Sequence, residues 1–307
     1  FMTAGESHGK ALVGIIQGIP AGLEISADYI NAELSRRQKG YGRSKRMQIE
    51  SDKVIILSGI RHGVTIGSPI SLMIENKDHV NWLKKMSVEP VKDEIKKITL
   101  PRPGHADLPG INKFDFDDIR NVLERSSARE TAMRVALASI CKKFLLEANI
   151  TIQSRVLSIG DVFDKSPITD YKNLNSIADK SQVRCLDGLT EKRMINKIKE
   201  CNDNGDTIGG SIQIIANGMP YGLGSYIQWD KKLPAIISSL MMSINAFKSI
   251  SIGDDTSVNG SNYHDEISVV DDKFIRDSNS AGGLEGGMTN TNPIVINMVM
   301  KPISTLR

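Results

Sequence analysis

The sequence predicts an α+β fold organised as one domain with two related halves. Three observations point there. Gly18-Ile19-Pro20-Ala21-Gly22-Leu23 returns as Gly218-Met219-Pro220-Tyr221-Gly222-Leu223, 200 positions later. Ser68-Pro69-Ile70 and Asn292-Pro293-Ile294 repeat the order, each leading into an aliphatic strand, with a helix between the members of each pair. The strongest helix, running from Thr131 to Cys141, is apolar almost all round, so it is expected between two layers. The two matches read as an internal duplication, two β–turn–α–β units related by a pseudo-twofold and sharing one core over residues 1–307. Coincidence of common turn chemistry is the alternative.

The elements follow in order. Residues Ala11–Gln17 form an aliphatic strand, and Gly18–Leu23 a turn in which Pro fixes φ and Gly allows φ > 0. Ser26 caps a helix from Ala27 to about Arg37, with Ile30 and Leu34 on one face. Val54–Leu57 and Pro69–Ile74 are strands. The polar, turn-rich stretch 77–115 reads as one long connection, and such a length marks a functional or mobile segment. Ser127 and Glu130 fit a capping box at the start of the apolar helix. In the second half Ser211–Ala216 is a strand, followed by a helix over about Pro234–Phe247.

Composition narrows the function classes. Of 307 residues, 40% are hydrophobic and 24% charged, which excludes wholesale disorder. The net charge of +3 is too small to argue by itself for a nucleic-acid protein. Cys141, Cys185 and Cys201 are odd in number and form no CxxC pair, so the expected home is a reducing cytoplasm. No run approaches the roughly 18–20 apolar residues that span a bilayer. The opening residues lack the pattern of a signal peptide. The end, Lys301–Arg307, reads as cut rather than finished.

Dinucleotide, P-loop and zinc signatures are missing, so no metal site is expected. Gly5-Glu6-Ser7-His8-Gly9 matches the hydrolase elbow in spelling, but a strand follows it where a helix is required. Its glycines still allow close backbone approach to a ligand, and Ser7 and His8 supply a hydroxyl and a titratable imidazole. His105 lies in Arg102-Pro103-Gly104-His105-Ala106-Asp107, a stiffened loop with Arg and Asp beside the ring. For either histidine alone the structural alternative is a polar turn or an imidazole tied to Asp107. His62, His79 and His264 lack such settings and read as surface residues. Arg36–Arg46 carries six cations in eleven positions, with Tyr41 the only aromatic available for stacking on a nucleic acid. A compact anion suits the arginine fork better, while a solvated face is the plainer reading. Arg125-Ser126-Ser127, with Arg129, reads as an anion site at a helix start. Gly282-Gly283-Leu284-Glu285-Gly286-Gly287 reads as backbone shaped around a flat or phosphorylated ligand, or as a flexible loop. Together these imply a small polyanionic substrate, and a lyase or transferase acting on a phosphate ester.

In this order, the segments resemble chorismate synthases: Gly5–Gly9, Arg37–Arg43, Arg102–Asp107, Arg125–Ala132, Met242–Lys248, Ala281–Gly287 and Lys301-Pro302. The resemblance implies a β-α-β sandwich with helices between two antiparallel sheets, assembled as a homotetramer. It implies 1,4-anti elimination of phosphate from 5-enolpyruvylshikimate 3-phosphate, with reduced FMN required and NADPH as a candidate flavin reductant. It carries catalytic roles to His8, His105, Ser7 and Ser127. It carries FMN contacts to Arg125, Ser126, Ser127, Asn245, Ala246, Gly286, Lys301, Pro302, Ile303, Ser304 and Thr305. Substrate or NADP contacts fall to Arg37, Arg43, Arg46 and Arg129. No nucleic acid or membrane is expected as partner. Family members continue to a further Arg and Asp beside the flavin, so a longer native protein is expected. A flavin- or anion-binding protein without catalysis, and an RNA-binding protein using residues 36–46, are the competing readings.

Overall fold

A computed structural model describes residues 1–42 and 49–304. The chain divides into two compact units, Phe1–Leu145 and Leu146–Arg307. Each is an antiparallel sheet with helices, in keeping with the expected α+β class.

The first unit contains β1 (Met2–Ala4), β2 (Ala11–Ile16), helix α1 (Ala27–Arg37), β3 (Val54–Ser58), β4 (Ile60–Arg61), β5 (Val64–Thr65) and β6 (Ile70–Glu75). Helices α2 (Asp107–Phe114), α3 (Arg120–Ser126) and α4 (Thr131–Glu147) follow. The main sheet has the order β1-β2-β6-β3, all antiparallel. Alternation buries Leu12 and Ile16 on β2 and Ile70, Leu72 and Ile74 on β6. Against them pack Ile30 and Leu34 of α1 and Met133, Ala136, Leu137 and Ile140 of α4. Gly14, between Leu12 and Ile16, permits this approach, because a Cβ there would lie 2.6 Å from Met133.

Ser26 caps α1 as expected, its hydroxyl accepting from the Tyr29 N–H at 3.2 Å. The long connection is not structureless, since it holds a 3-10 turn (Lys77–Asn81) and α2. The capping box differs too. Ser127 accepts from the N–H of Arg129 at 3.3 Å, but Glu130 turns away to Arg134 (2.9 Å) and Thr3 (2.8 Å). A charged partner one turn on offers a stronger bond than a backbone N–H.

The second unit contains β7 (Thr151–Ile159), β8 (Val162–Phe163), α5 (Leu174–Ala178), α6 (Gly188–Asp203), β9 (Gly210–Asn217), β10 (Tyr221–Gly224) and α7 (Leu233–Met242). Then come β11 (Phe247–Ile252), β12 (Ile267–Val270), β13 (Lys273–Arg276), β14 (Leu284–Glu285), β15 (Met288–Asn290) and β16 (Ile294–Met300). The helix expected to reach Phe247 stops at Met242, and Phe247 opens β11. The sheet order is β11-β16-β9-β7-β8. Ile294, Ile296 and Met298 form its core with Leu233, Ile237 and Met241 from α7.

Strand by strand, β7-β9-β16-β11 repeats β1-β2-β6-β3. The repeated turn is held in each unit by the same device. Thr65 Oγ1 donates to the Pro20 carbonyl (2.7 Å) and accepts from the Leu23 N–H (2.9 Å). Thr289 Oγ1 donates to the Pro220 carbonyl (2.5 Å) and accepts from the Leu223 N–H (2.9 Å). The units differ between β11 and β14, where the chain leaves to form the β12–β13 hairpin. It departs and returns through Gly253 and Gly282, whose backbones pack so closely that a Cβ on Gly282 would lie 2.3 Å from the Gly253 nitrogen.

Replacing either clamp hydroxyl by a methyl strands a carbonyl and an N–H inside its turn. Thr65→Val and Thr289→Val are each expected to cost about 1–3 kcal/mol. Lower urea midpoints, read by far-UV circular dichroism, would show the loss; unchanged midpoints would refute the clamp.

Candidate functional site

The loop Gly5–Gly9 joins β1 to β2, and its geometry is fixed from several sides. Gly5 has φ +105°, and a Cβ there would sit 2.4 Å from the Ala11 carbonyl oxygen. The Ser7 N–H donates to the Glu124 carbonyl at 2.9 Å, and Ser7 itself is buried. Asn76, just past β6, donates through Nδ2 to the carbonyls of Glu6 (3.1 Å) and Gly9 (2.8 Å). Its Oδ1 accepts from Arg129 Nε at 2.9 Å.

This loop places His8 against α3. His8 Nδ1 lies 3.0 and 2.9 Å from the two carboxylate oxygens of Glu124, and the His8 N–H donates to Oε2 at 2.9 Å. Glu124 is 2% exposed and also accepts from Arg120 Nη1 at 3.2 Å. Burial alone pushes its pKa up, but the His8 bonds and the Arg120 charge outweigh burial and hold it below the ordinary value. The imidazole lies against Trp82, with ring centroids 4.0 Å apart, and the Arg120 guanidinium lies 5.0 Å from the Trp82 ring centre. His8 Nε2 is 3.9 Å from Asp78 Oδ2, an oxygen that also accepts from Trp82 Nε1 at 3.0 Å. His79, expected at the surface, is instead half-buried, and its Nδ1 lies 2.9 Å from the His8 carbonyl oxygen. The compact 3-10 turn folds it back onto the loop.

His105 belongs to a second cluster. Its Nδ1 is 2.5 Å from Asp107 Oδ1, and Arg102 grips the same carboxylate through Nε (2.9 Å), Nη2 (3.1 Å) and its backbone N–H (3.0 Å). Asp107 is 1% exposed. Burial raises its pKa, but the Arg102 and His105 bonds overcome that and bring it to about 2. Gly104, at φ +72°, turns the loop into α2.

The remaining expected residues fall into groups. Arg125-Ser126-Ser127 does not open the buried helix: Arg125 and Ser126 close α3, and extended Ser127 (ψ 142°) separates it from the next turn. Arg125 donates to the carbonyls of Gly5 (3.1 Å) and Thr3 (2.8 Å). Arg129 is buried, with Nη1 2.6 Å from Asp52 Oδ1, and Arg37 Nη1 is 3.6 Å from the other oxygen of Asp52. In the second unit the Lys301 N–H donates to the Ala246 carbonyl at 3.0 Å, and Lys301 Nζ reaches Ser304 Oγ at 3.3 Å. Asn245, Ala246, Lys301, Pro302, Ile303 and Ser304 therefore gather where β11 begins and β16 ends. Ala246 takes the left-handed conformation, φ +72°. Gly286, at φ +57°, has open space where a Cβ would be. Arg43, Arg46 and Thr305 lie outside the described residues.

Sequence reasoning missed Glu124, Asn76, Asp52, Trp82 and Arg120. Only the four-residue spacing of Arg120 and Glu124 on one helix offered a signal. Among the described residues no cluster of His, Cys, Asp and Glu is suited to a metal ion.

Comparison with known proteins gives a consistent result. The sequence model of the chorismate synthase family matches residues 1–307. A chorismate synthase of Alkaliphilus metalliredigens is 51% identical over 309 residues, covering 99% of this chain and 81% of that protein. Chorismate synthase 1 of Bacillus thuringiensis is 52% identical over 318 residues, covering 100% and 81%. A crystal structure of chorismate synthase superposes with a TM-score of 0.80 at 39% identity, covering 98% of this chain and 83% of the other.

Asp107 yields a test of pH dependence. A carboxylate with a depressed folded-state pKa stabilises fully above its ordinary value of 3.8 and loses that contribution as pH falls towards about 2. The wild-type urea midpoint is expected to fall between pH 4 and pH 2 more steeply than that of Asp107→Asn. Parallel profiles would show that the cluster does not hold the carboxylate ionised.

Proposed function

The chain belongs to the chorismate synthase family, and from that premise we propose how its own residues serve the conversion of 5-enolpyruvylshikimate 3-phosphate to chorismate. The observation that carries this reading is the family match over residues 1–307, which includes both histidine loops. The enzyme is a carbon–oxygen lyase: a ring hydrogen and phosphate leave in 1,4 relation, with no net redox change.

His8 and His105 act at the reacting groups, one beside the departing phosphate and one beside the flavin. An imidazolium near a leaving phosphate neutralises developing charge and delivers a proton. Ser7, within the His8 loop, and Ser127, at the entry to α4, supply hydroxyls. Arg37, Arg43, Arg46 and Arg129 form the cationic side, for substrate or for NADP. Arg37 and Arg129 share the Asp52 carboxylate, so part of their charge is neutralised before any ligand arrives.

The donor set at the β11–β16 end suits a flavin carrying a phosphate, FMN. Lys301 offers an ammonium, Ser304 a hydroxyl and Asn245 an amide on adjoining segments. Gly286, with open space where a Cβ would be, leaves its backbone open to approach by a ligand. Bound reduced flavin supplies transient electron density that loosens the C–O bond, which no side chain can offer. NADPH is the proposed reductant of that flavin, and the active assembly a homotetramer. The matching strand orders and threonine clamps support the reading of two duplicated halves. A reducing cytoplasm suits three unpaired cysteines, and no described helix is long and apolar enough to cross a membrane.

Incubated anaerobically with substrate and chemically reduced FMN, the protein should release chorismate and phosphate in equal amounts; no product would sink the reading. His8→Ala and His105→Ala are each expected to lower kcat about 100-fold or more, with native circular dichroism. Lys301→Ala should weaken FMN binding in a fluorescence titration, and an unchanged affinity would remove Lys301 from the flavin site.

A further inference from the structure

We propose that Glu124 is the positioning residue that fixes the tautomer of His8, holding the ring proton on Nδ1 and leaving Nε2 as the atom that acts. The proposal rests on the catalytic reading of His8 above, and it assigns a role to a residue that lies 116 positions away in sequence.

Three features of the geometry carry it. First, both oxygens of Glu124 lie within 3.0 Å of His8 Nδ1, so the imidazole edge meets a carboxylate head-on. An ionised carboxylate has only acceptors, so the nitrogen facing it must carry the hydrogen. Second, Glu124 cannot swing away. It is 2% exposed, and it also holds the His8 backbone N–H and Arg120 Nη1, at 2.9 and 3.2 Å. The Arg120 charge keeps this buried carboxylate compensated, a pairing without which its burial would be costly. Third, the ring cannot easily turn over. Trp82 covers it at a centroid distance of 4.0 Å, and the main chain on either side is pinned by the Ser7 N–H to Glu124 and by His79 to the His8 carbonyl.

Nε2 is differently placed. Asp78 Oδ2 is 3.9 Å away from it and already accepts from the Trp82 indole, while Asp78 Oδ1 accepts from Asn81. The second nitrogen is therefore available to a ligand, with its lone pair when the ring is neutral and with a proton when it is charged. A carboxylate behind an imidazole serves proton transfer in this way, by selecting the tautomer and the ring's direction without itself reacting.

Glu124→Gln keeps the shape and removes the obligatory acceptor, since an amide can turn either face to Nδ1. The nitrogen shifts of 15N-histidine-labelled protein, with His8 assigned by its loss in His8→Ala, read the tautomer directly. Wild type is expected to show a protonated Nδ1 and a bare Nε2 in the neutral ring, and Glu124→Gln a mixture of the two tautomers. In turnover, kcat of Glu124→Gln should fall about 10- to 100-fold with KM changed less than about twofold, and Glu124→Asp should recover part of the loss. A wild-type tautomer in Glu124→Gln, or equal losses in Glu124→Gln and Glu124→Asp, would overturn the proposal. Full activity in His8→Ala would overturn the catalytic reading of His8 instead, while the nitrogen shifts still decide what Glu124 does.

Discussion

The buried amide of Asn76 is the joint on which the arrangement of the Gly5–Gly9 loop depends. It sits where β6 ends, and its Nδ2 spans two carbonyls of the Gly5–Gly9 loop. Its Oδ1 takes the Arg129 guanidinium, which in turn rests on Asp52. One side chain thus ties the sheet, the histidine loop and the entry to α4 into a single network. Such networks are worth more than their separate bonds, because hydrogen bonds in a chain polarise one another in the low-dielectric interior. The loop's own backbone could not hold His8 still, since its two glycines favour freedom. The order comes from the neighbours.

Both histidines are mounted in the same manner, although the local chain differs. In each case a buried carboxylate faces the ring and an arginine faces the carboxylate: Arg120–Glu124–His8 in one, Arg102–Asp107–His105 in the other. The arginine offsets the cost of burying negative charge, and the carboxylate stays ionised despite burial. In the His105 cluster all three partners lie within six residues, so a short loop encodes the whole arrangement. In the His8 cluster the ring comes from a β1–β2 connection and both partners from a distant helix.

That difference explains what was legible in the sequence. The Arg102–Asp107 loop could be read with its carboxylate included, as could Ser26 with α1, because all the interacting groups are neighbours in the chain. Glu124 and Asn76 could not, since nothing local ties them to residues 5–9. The capping box is only half formed because Glu130 bonds Arg134 one turn on and Thr3 from the distant β1, neither of which the box anticipates. The repeated Gly-x-Pro-x-Gly-Leu turns were visible, but the threonines that close them, 42 and 66 positions from Leu23 and Leu223, were not. Arg125 and Ser126 were expected to open the apolar helix, and the chain instead closes α3 with them, while Arg129 does lie at the entry to α4, in an ion pair with Asp52.

The Gly253–Gly282 contact has a consequence for how this chain tolerates change. The chain between those two glycines leaves the end of β11 and returns beside it just before β14, with the Asp254 N–H bonded to the Ser280 carbonyl at 2.9 Å across the neck. The entropic cost of closing such an excursion grows slowly with its length. The first unit passes from β3 to β4 through Gly59 with no such excursion. The chain between Asp254 and Asp265 can therefore change in length, whereas β13 must stay, because Arg276 bonds Glu285, the Tyr221 hydroxyl and the Asn290 carbonyl outside the excursion.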